Sequence, residues 1–323
     1  MVASGWILLG LAALIAGAEL LTRAGSRLAA QLGVPPLVIG LTIVAVGTSA
    51  PELAIGIEAA LIGAGSLAVG NIAGTNTANI LLILGLSALT RPLALHLQTV
   101  RFDLPVMTVA CVALTAMAWD GELTRVAGVV LVGAAVVYTA AVMRWTRRES
   151  RAIRREFAAE YRKPRDGHAA REIARDVALL VVGIALVVVG AGWLVDGAED
   201  LARMIGVSDA VIGLTVVAIG TSAPELVTTI IGTLRDNRDI AIGNLLGSSI
   251  YNIFAILGVT CLIPSTGLAV DPELVRIDLP VMTGVALVCV PVFLTGRRVS
   301  RLEGALFVGA YVAYLSYLVF ART

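Results

Sequence analysis

The same 21-residue segment occurs twice in this chain, once in each half. Residues 33–53 read GVPPLVIGLTIVAVGTSAPEL and residues 206–226 read GVSDAVIGLTVVAIGTSAPEL, so 16 of 21 positions are identical at an offset of 173. The match continues through a Gly-Asn motif at 70–71 and 243–244, and VRFDLPVM at 100–107 recurs as VRIDLPVM at 275–282. A repeat of this length predicts two halves that fold into the same unit.

The composition places both halves in a membrane. Of 323 residues, 58% are hydrophobic and 15% are charged, and the mean hydropathy is +0.91. Soluble domains are about 45–50% apolar and about 25% charged, so a soluble enzyme, a nucleic-acid binder and a disordered chain are excluded. The net charge of +1 indicates no polyanionic partner. We expect a multi-pass protein whose surroundings are the lipid bilayer, with no nucleic-acid partner and no required protein partner.

Hydropathy predicts ten membrane-spanning helices, five in each half. A crossing needs about 20 largely apolar residues, and such segments lie at 4–22, 37–62, 67–90, 102–119, 124–145, 175–195, 210–234, 240–263, 276–295 and 302–321. An odd number of crossings per half forces the two copies into opposite orientations, an architecture of secondary transporters. The expected fold is therefore an all-α integral membrane protein with ten transmembrane helices in two inverted-topology five-helix repeats and discontinuous signature helices. Its expected parts are a first repeat at 1–145, a basic cytoplasmic linker at 146–172 and a second, inverted repeat at 173–323.

The distribution of Lys and Arg predicts the orientation. The central segment and its flanks are rich in arginine, and positively charged loops stay cytoplasmic. With that segment inside, all but four of the 24 Lys and Arg residues lie inside; the exceptions are Arg125, Arg203, Arg276 and Arg322. Both termini then lie outside a plasma (inner) membrane. Because no basic residue precedes Arg23, the first apolar run is expected to be a retained span rather than a signal peptide.

Two glutamates are the strongest candidates for function. Glu52 and Glu225 each follow Gly-Thr-Ser-Ala-Pro within a long apolar span, where a carboxylate costs about 2.5–3.5 kcal/mol or more unless it is compensated. The proline removes a backbone hydrogen bond, and a broken helix at this depth is tolerated where it lines a cavity or meets a ligand. Carboxylates, freed carbonyls and hydroxyls form the all-oxygen set that Ca²⁺ and Na⁺ prefer. The hydroxyls here belong to Thr48, Ser49, Thr221 and Ser222.

A second polar cluster follows in each half. The pattern Gly-Asn-x-x-Gly-(Thr/Ser)-x-x-x-Asn supplies Asn71, Thr75 and Asn79 in one copy and Asn244, Ser248 and Asn252 in the other. Residues four apart share one face of a helix, so each hydroxyl is expected beside the following asparagine. Both faces offer neutral oxygen ligands.

Acidic residues outside these motifs are expected to have structural roles. Glu19 and Arg23 are spaced to form an i,i+4 pair at a helix end. Asp103 and Asp278 begin repeat-related spans, where a carboxylate stabilises a helix N-terminus.

The paired GTSAPE and GN-x-x-G-(S/T) signatures resemble the alpha repeats of the calcium/cation antiporter superfamily, in particular prokaryotic sodium/calcium exchangers. The resemblance covers essentially the whole chain. It implies that Glu52 and Glu225 bridge a central Ca²⁺ with the main-chain carbonyls of Thr48 and Thr221. It also implies overlapping and flanking Na⁺ positions with ligands from both halves: Ala45, Thr48, Ser49, Thr75, Asn79, Ala218, Thr221, Ser222, Ser248 and Asn252. Spans one and six would slide over the rest of the bundle, and Ser249 stands where Asn is common in the family.

These features predict a secondary antiporter that exchanges Na⁺ for Ca²⁺ by alternating access and needs no cofactor. The chain has no G-x-x-x-x-G-K-[ST] motif for nucleotide-driven pumping. Two carboxylates without cations carry a charge near −2, so the site should cross the membrane only when loaded. Ca²⁺/H⁺ exchange is an alternative because close carboxylates can hold protons, and K⁺-dependent Na⁺/Ca²⁺ exchange is another. An intramembrane enzyme is not expected, since H-E-x-x-H is absent.

Overall fold

The computed structural model describes residues 2–160, 169–204 and 218–322. These residues form helices joined by short turns. In chain order they are α1 Val2–Leu32, α2 Pro36–Thr48, α3 Ala50–Leu61, α4 Gly65–Thr90, α5 Thr99–Met117, α6 Arg125–Glu160, α7 Ala169–Met204, α8 Ala218–Thr221, α9 Ala223–Leu234, α10 Arg238–Leu262, α11 Leu274–Leu294 and α12 Arg301–Arg322. Both α6 and α7 continue into the predicted linker at 146–172, because charged residues there still permit a helix beyond the apolar span.

The described residues confirm a helical, multi-span chain. Eight of the helices are long and apolar enough to cross a membrane, and the bent pair α2–α3 makes a ninth candidate. The predicted span at 210–234 contains α8 and the shorter apolar helix α9, and its first part lies outside the described residues. The ten-span inverted arrangement therefore stays a prediction.

The two GTSAP segments interrupt their helices at a serine. Ser49 has φ −83° and ψ 14°, and Ser222 has φ −85° and ψ 4°, so neither residue is helical. A proline then occupies the first turn of α3 and of α9, where its missing N–H costs no helical hydrogen bond. The axes of α2 and α3 differ by 43°. Each break places the following glutamate in the first turn of a new helix.

The long helices α1 and α7 pack closely against each other along glycines. Gly10 and Gly17 on α1, and Gly183 and Gly190 on α7, recur at seven-residue intervals. A Cβ added to Gly17 would lie 2.8 Å from the carbonyl oxygen of Gly183, and one added to Gly190 would lie 2.9 Å from that of Gly10. Side chains larger than hydrogen would therefore force the two backbones apart.

The hydrophobic core separates the α1–α7 pair from the other helices. The main buried cluster takes side chains from α2 to α6 and from α10 to α12, and none from α1 or α7. Residues of α1 and α7 instead form two smaller clusters with parts of α2, α9 and α10. The described structure thus consists of a packed bundle and a helix pair laid against it.

Short strands join the loops at the helix ends, a feature that the all-α expectation lacks. Leu93–Ala94 (β1) pairs antiparallel with Arg298–Val299 (β4), and Glu122–Leu123 (β2) pairs antiparallel with Leu268–Ala269 (β3). Loop backbone that lies against another loop needs hydrogen-bond partners, and two extended residues supply them.

One of the two structural roles expected for outlying acids is confirmed. Arg23 forms an ion pair with Glu19, which also accepts a hydrogen bond of 2.8 Å from Arg235. Asp103 and Asp278 each lie four residues after the start of their helix, and neither forms a capping hydrogen bond, so stabilisation of a helix N-terminus stays a prediction. Each accepts a hydrogen bond from a tyrosine instead, Asp103 from Tyr138 at 3.1 Å and Asp278 from Tyr314 at 2.6 Å.

Candidate ion-binding site

Glu52 is buried in the first turn of α3, with no solvent exposure. Within the described part of the chain, no hydrogen-bond donor of another residue reaches Oε1 or Oε2. The N-terminus of α3 gives the carboxylate a partial positive charge nearby. A carboxylate with two unpaired oxygens in the interior is costly unless a cation binds it.

Glu225 has the equivalent position in the first turn of α9 and is also fully buried. Its Oε1 accepts hydrogen bonds from Ser49 Oγ at 3.1 Å and from Ser248 Oγ at 3.2 Å, while no described donor reaches Oε2. Ser49 lies three residues before Glu52 and contacts Glu225, so both glutamates border the same buried region. The two repeats therefore bring both glutamates to one buried location.

Neither glutamate has a basic partner among the described residues. Of the ion pairs between these residues, none includes Glu52 or Glu225. No group of three or more His, Cys, Asp and Glu side chains in the described residues is placed to hold a metal ion. A cation bound here would have the two carboxylates and neutral oxygens as its ligands.

The hydroxyl of Thr48 faces the second half of the chain. Thr48 Oγ1 donates to Asn244 Oδ1 at 3.0 Å and lies 3.4 Å from Ser248 Oγ, and Ser248 Oγ also lies 3.4 Å from the main-chain oxygen of Ala45. This contact is possible because glycines bring α10 close to α2. A Cβ on Gly247 would lie 2.7 Å from Leu41 O.

The remaining predicted ligands are Ser222, Thr221 and Ala218 at the helix break of the second half, and Thr75 in the first half. Ser222 is buried, and no described partner reaches its Oγ. Thr221 ends α8 and is half-buried, and Ala218 begins α8, with its side chain outside the described set. Thr75 is buried on α4, one turn before Asn79.

The side chains of Asn79 and Asn252 each form a hydrogen bond to a residue of the other repeat. The two partners are Ser249 and Asn76, whose roles the sequence did not indicate. Asn76 Nδ2 donates to Ser249 O at 3.0 Å, and Asn252 Nδ2 donates to Asn76 Oδ1 at 3.2 Å. Asn79 Nδ2 donates to Ser249 Oγ at 3.3 Å. Asn76 and Ser249 occupy the same position in the two repeats, so the sequence shows an Asn/Ser difference here but not the contacts that follow from it.

The helices α4 and α10 are irregular at Asn79 and Asn252. A π-helical turn begins at Asn79 and runs to Leu84, and another begins at Asn252 and runs to Leu257. Such turns are common at functional sites because they shift the side chains that follow them relative to a regular helix.

Comparison with known proteins gives a consistent result over both halves. The family model of the sodium/calcium exchanger protein matches residues 2–144 and, separately, residues 176–320. The chain is 37% identical over 327 residues to inner membrane protein YrbG of Escherichia coli, covering 98% of this chain and 97% of that protein. It is 32% identical over 343 residues to sodium/calcium exchanger MaX1 of Methanosarcina acetivorans, with 97% of each covered.

The fold matches a solved structure over nearly its whole length. The sodium/calcium exchanger from Methanococcus jannaschii superposes with a TM-score of 0.81 at 28% identity, covering 98% of each chain. Sequence and fold therefore agree across both repeats. The chain is a multi-pass membrane transporter that belongs to the sodium/calcium exchanger family.

Proposed function

We propose that this protein exchanges Na⁺ for Ca²⁺ across the membrane, with one site in which Glu52 and Glu225 bind the ions. The observation that carries the proposal is the pair of fully buried carboxylates, which have no basic partner in the described part of the chain. Three of their four oxygens have no described donor, which leaves them available to a hard cation. The printed names of the relatives above, sodium/calcium exchangers among them, support the choice of ions.

The remaining ligands come from both halves. We assign the Ca²⁺ position to Glu52 and Glu225 with the main-chain oxygens of Thr48 and Thr221. The Na⁺ positions would use oxygens of both repeats: Ala45, Thr48, Ser49, Thr75, Asn79, Ala218, Thr221, Ser222, Ser248 and Asn252. The existing contacts of Ser49 and Ser248 with Glu225 favour this assignment, because a cation could displace their hydrogen bonds without moving the backbone.

The charge of the site explains obligatory exchange. Two carboxylates without cations carry a charge near −2, and moving that charge through a low-dielectric membrane is unfavourable. One Ca²⁺ or two or more Na⁺ remove the barrier. The site then changes sides only when it is loaded.

An inverted arrangement of the repeats is supported by the loop contacts. Strand β1 of the first half and β3 of the second share the sequence Leu-Ala, and each pairs with a strand from the opposite half. If the two halves exchange places, β1 takes the position of β3 and β4 takes the position of β2. The residues of the two ladders then pair in the same register. The predicted topology places 91–98 and 295–300 inside and 118–124 and 263–273 outside, so each ladder lies on one side. We therefore retain ten spans, with both termini outside and the central basic segment cytoplasmic.

The separate packing of α1 and α7 supports the proposal that these two helices are the moving part. These helices contribute no residue to the main buried cluster of the bundle, and their mutual contact is a continuous seam of glycines. We infer that they slide as a pair over the bundle and open the site to each side in turn.

Flux into proteoliposomes tests the coupling ion. The purified protein is reconstituted with internal Na⁺, and ⁴⁵Ca uptake is measured under an imposed Na⁺ gradient, a pH gradient or neither, with and without K⁺. We expect the outward Na⁺ gradient to drive uptake without K⁺, and the pH gradient to have no effect. Uptake driven by the pH gradient alone would identify the protein as a Ca²⁺/H⁺ exchanger.

A further inference from the structure

We propose that Asn76 and Ser249 are positioning residues that turn the amide oxygens of Asn252 and Asn79 toward the transported Na⁺. The inference rests on the proposed function, since it concerns the same ion site. Neither residue needs to touch an ion. Each starts a short chain of hydrogen bonds whose direction is fixed by a main-chain carbonyl.

The first chain fixes Asn252. A main-chain carbonyl only accepts hydrogen bonds, so Ser249 O requires the amide nitrogen of Asn76, which lies 3.0 Å away. Asn76 Oδ1 must then face the other way, toward Asn252 at 3.2 Å. Asn252 must present its own nitrogen to that oxygen. Its Oδ1 is left buried and without a described partner.

The second chain fixes Asn79. Ser249 Oγ has one hydrogen and donates it to Leu245 O at 3.0 Å. Toward Asn79, 3.3 Å away, the hydroxyl can only accept. Asn79 must therefore present its nitrogen, and its Oδ1 is also left buried and without a described partner.

Both chains of hydrogen bonds end at an amide oxygen that has no described donor. A buried amide oxygen with no donor is unfavourable unless a cation takes the donor's place. Asn252 lies one helical turn after Ser248, whose hydroxyl contacts Glu225, so Asn252 shares the face of α10 that meets this carboxylate. Neutral oxygens suit Na⁺, because they add coordination without adding charge to a site that already holds two carboxylates.

The arrangement also makes the two halves unequal. At one repeat position the first half supplies the amide of Asn76 and the second supplies the hydroxyl of Ser249. An aspartate at position 252 would place an oxygen against Asn76 Oδ1, so this pairing selects Asn at that position.

Three substitutions test the inference in proteoliposomes. Ser249→Ala removes the acceptor for Asn79, and Asn76→Leu removes both contacts of Asn76 at similar volume. Loss of a residue that orients an ion ligand typically weakens binding by about 10–100-fold, so we expect the half-saturating Na⁺ concentration to rise at least about tenfold in each. The half-saturating Ca²⁺ concentration in Na⁺-free ⁴⁵Ca/Ca²⁺ exchange should stay within about twofold of the wild-type value. Ser249→Thr keeps the hydroxyl and should retain wild-type Na⁺ dependence.

The matched control is Thr77→Val. Thr77 is buried on α4 next to Asn76, and its hydroxyl donates to the carbonyl four residues earlier, Ala73 O, at 2.8 Å. This variant loses a similar hydroxyl but leaves both chains intact, so both ions should bind as in the wild type. If Asn76→Leu fails to fold, as judged by gel filtration, the comparison of Ser249→Ala with Thr77→Val decides.

An unchanged Na⁺ requirement in Ser249→Ala, or equal losses for Na⁺ and Ca²⁺, would overturn the inference. Glu52→Gln is measured in parallel to separate this result from failure of the proposed function. If Glu52→Gln still exchanges Ca²⁺, the ion site itself is wrongly placed. If Glu52→Gln is inactive and Ser249→Ala is normal, only the positioning role fails.

Discussion

At the scale of single residues, the glutamates could be predicted from the sequence and the asparagine orientations could not. Glu52 and Glu225 stand out because a carboxylate inside an apolar span needs a special reason. The direction of an amide depends on which donors and acceptors surround it, and those neighbours come from the other half of the chain. The same limitation explains Asp103, whose partner Tyr138 lies on a different helix.

Cation binding at the glutamates predicts a change in thermal stability. A ligand that binds only the folded protein stabilises it by mass action, so Ca²⁺ at about 100 times its dissociation constant should raise the wild-type melting temperature by about 4 °C. Glu52→Gln should abolish this increase because the variant lacks one of the two carboxylates. The control Glu58→Gln changes an exposed glutamate on the same helix, and this variant should keep the Ca²⁺-dependent increase in melting temperature. A full Ca²⁺-dependent increase in Glu52→Gln would place the ion elsewhere.

At the scale of helices, the breaks could be predicted and most of the helix ends could not. Proline in the GTSAP segments indicates the interruptions at Ser49 and Ser222 directly. Hydropathy ends α1 near residue 22, but the helix continues to Leu32 because its polar side chains find partners: Ser26 donates to Asn237 in the turn after α9, and Arg27 pairs with Asp176 on α7. The π-helical turns at Asn79 and Asn252 have no signal in residue composition, since they depend on tertiary packing.

The glycine seam between α1 and α7 should be sensitive to a single methyl group. Gly190→Ala would place a Cβ 2.9 Å from Gly10 O and Leu14 N, both backbone atoms that cannot move aside without separating the helices. We expect a loss of about 1–3 kcal/mol in stability from this overpacking, together with slower exchange.

Gly192→Ala is the matched control on the same helix. A Cβ there meets no described atom within 4 Å, so stability and exchange should remain near wild type. Thermal unfolding and ⁴⁵Ca flux of both variants provide the measurement. Equal behaviour of the two variants would mean that close α1–α7 packing is not needed.

At the scale of the whole molecule, the repeat predicts two halves of opposite orientation, which stays a prediction, but it does not indicate which segments of the two halves contact each other. Two copies of one unit indicate related folds, and an odd number of crossings in each indicates inversion. The strand ladders that join the halves are only two residues long, so a hydrophobic pattern in the sequence could not predict them. The division into a bundle and a helix pair likewise follows from which side chains share a core, a property of the assembled chain.

A cross-link between α1 and the bundle should stop transport if the α1–α7 pair moves. Ser26 Oγ lies 2.8 Å from Asn237 Oδ1, so the double variant Ser26→Cys, Asn237→Cys brings two thiols near each other, and a disulfide between them, verified by the loss of free thiols, would fix α1 to the turn after α9. We expect oxidation to abolish ⁴⁵Ca exchange and reduction to restore it.

A cross-link within the moving pair is the control. Trp6 on α1 and Trp193 on α7 have ring centroids 5.8 Å apart, and cysteines at these positions should tie the two helices without fixing them to the bundle. Oxidation should leave exchange intact in this variant. If ⁴⁵Ca exchange continues in the first variant, with α1 cross-linked to the bundle, sliding of the α1–α7 pair over the bundle is excluded.

The central claim is that the buried carboxylate pair must be neutralised by cations before the site can change sides. Efflux from ⁴⁵Ca-loaded proteoliposomes tests it directly, with the external solution free of Na⁺ and Ca²⁺ and its ionic strength kept with choline chloride. The account predicts no efflux into this solution, and rapid efflux once Na⁺ or unlabelled Ca²⁺ is added outside. Sustained efflux into the choline solution at the rate seen with Na⁺, and independent of the pH of that solution, would contradict it, because the site would then be returning with neither a metal cation nor a proton.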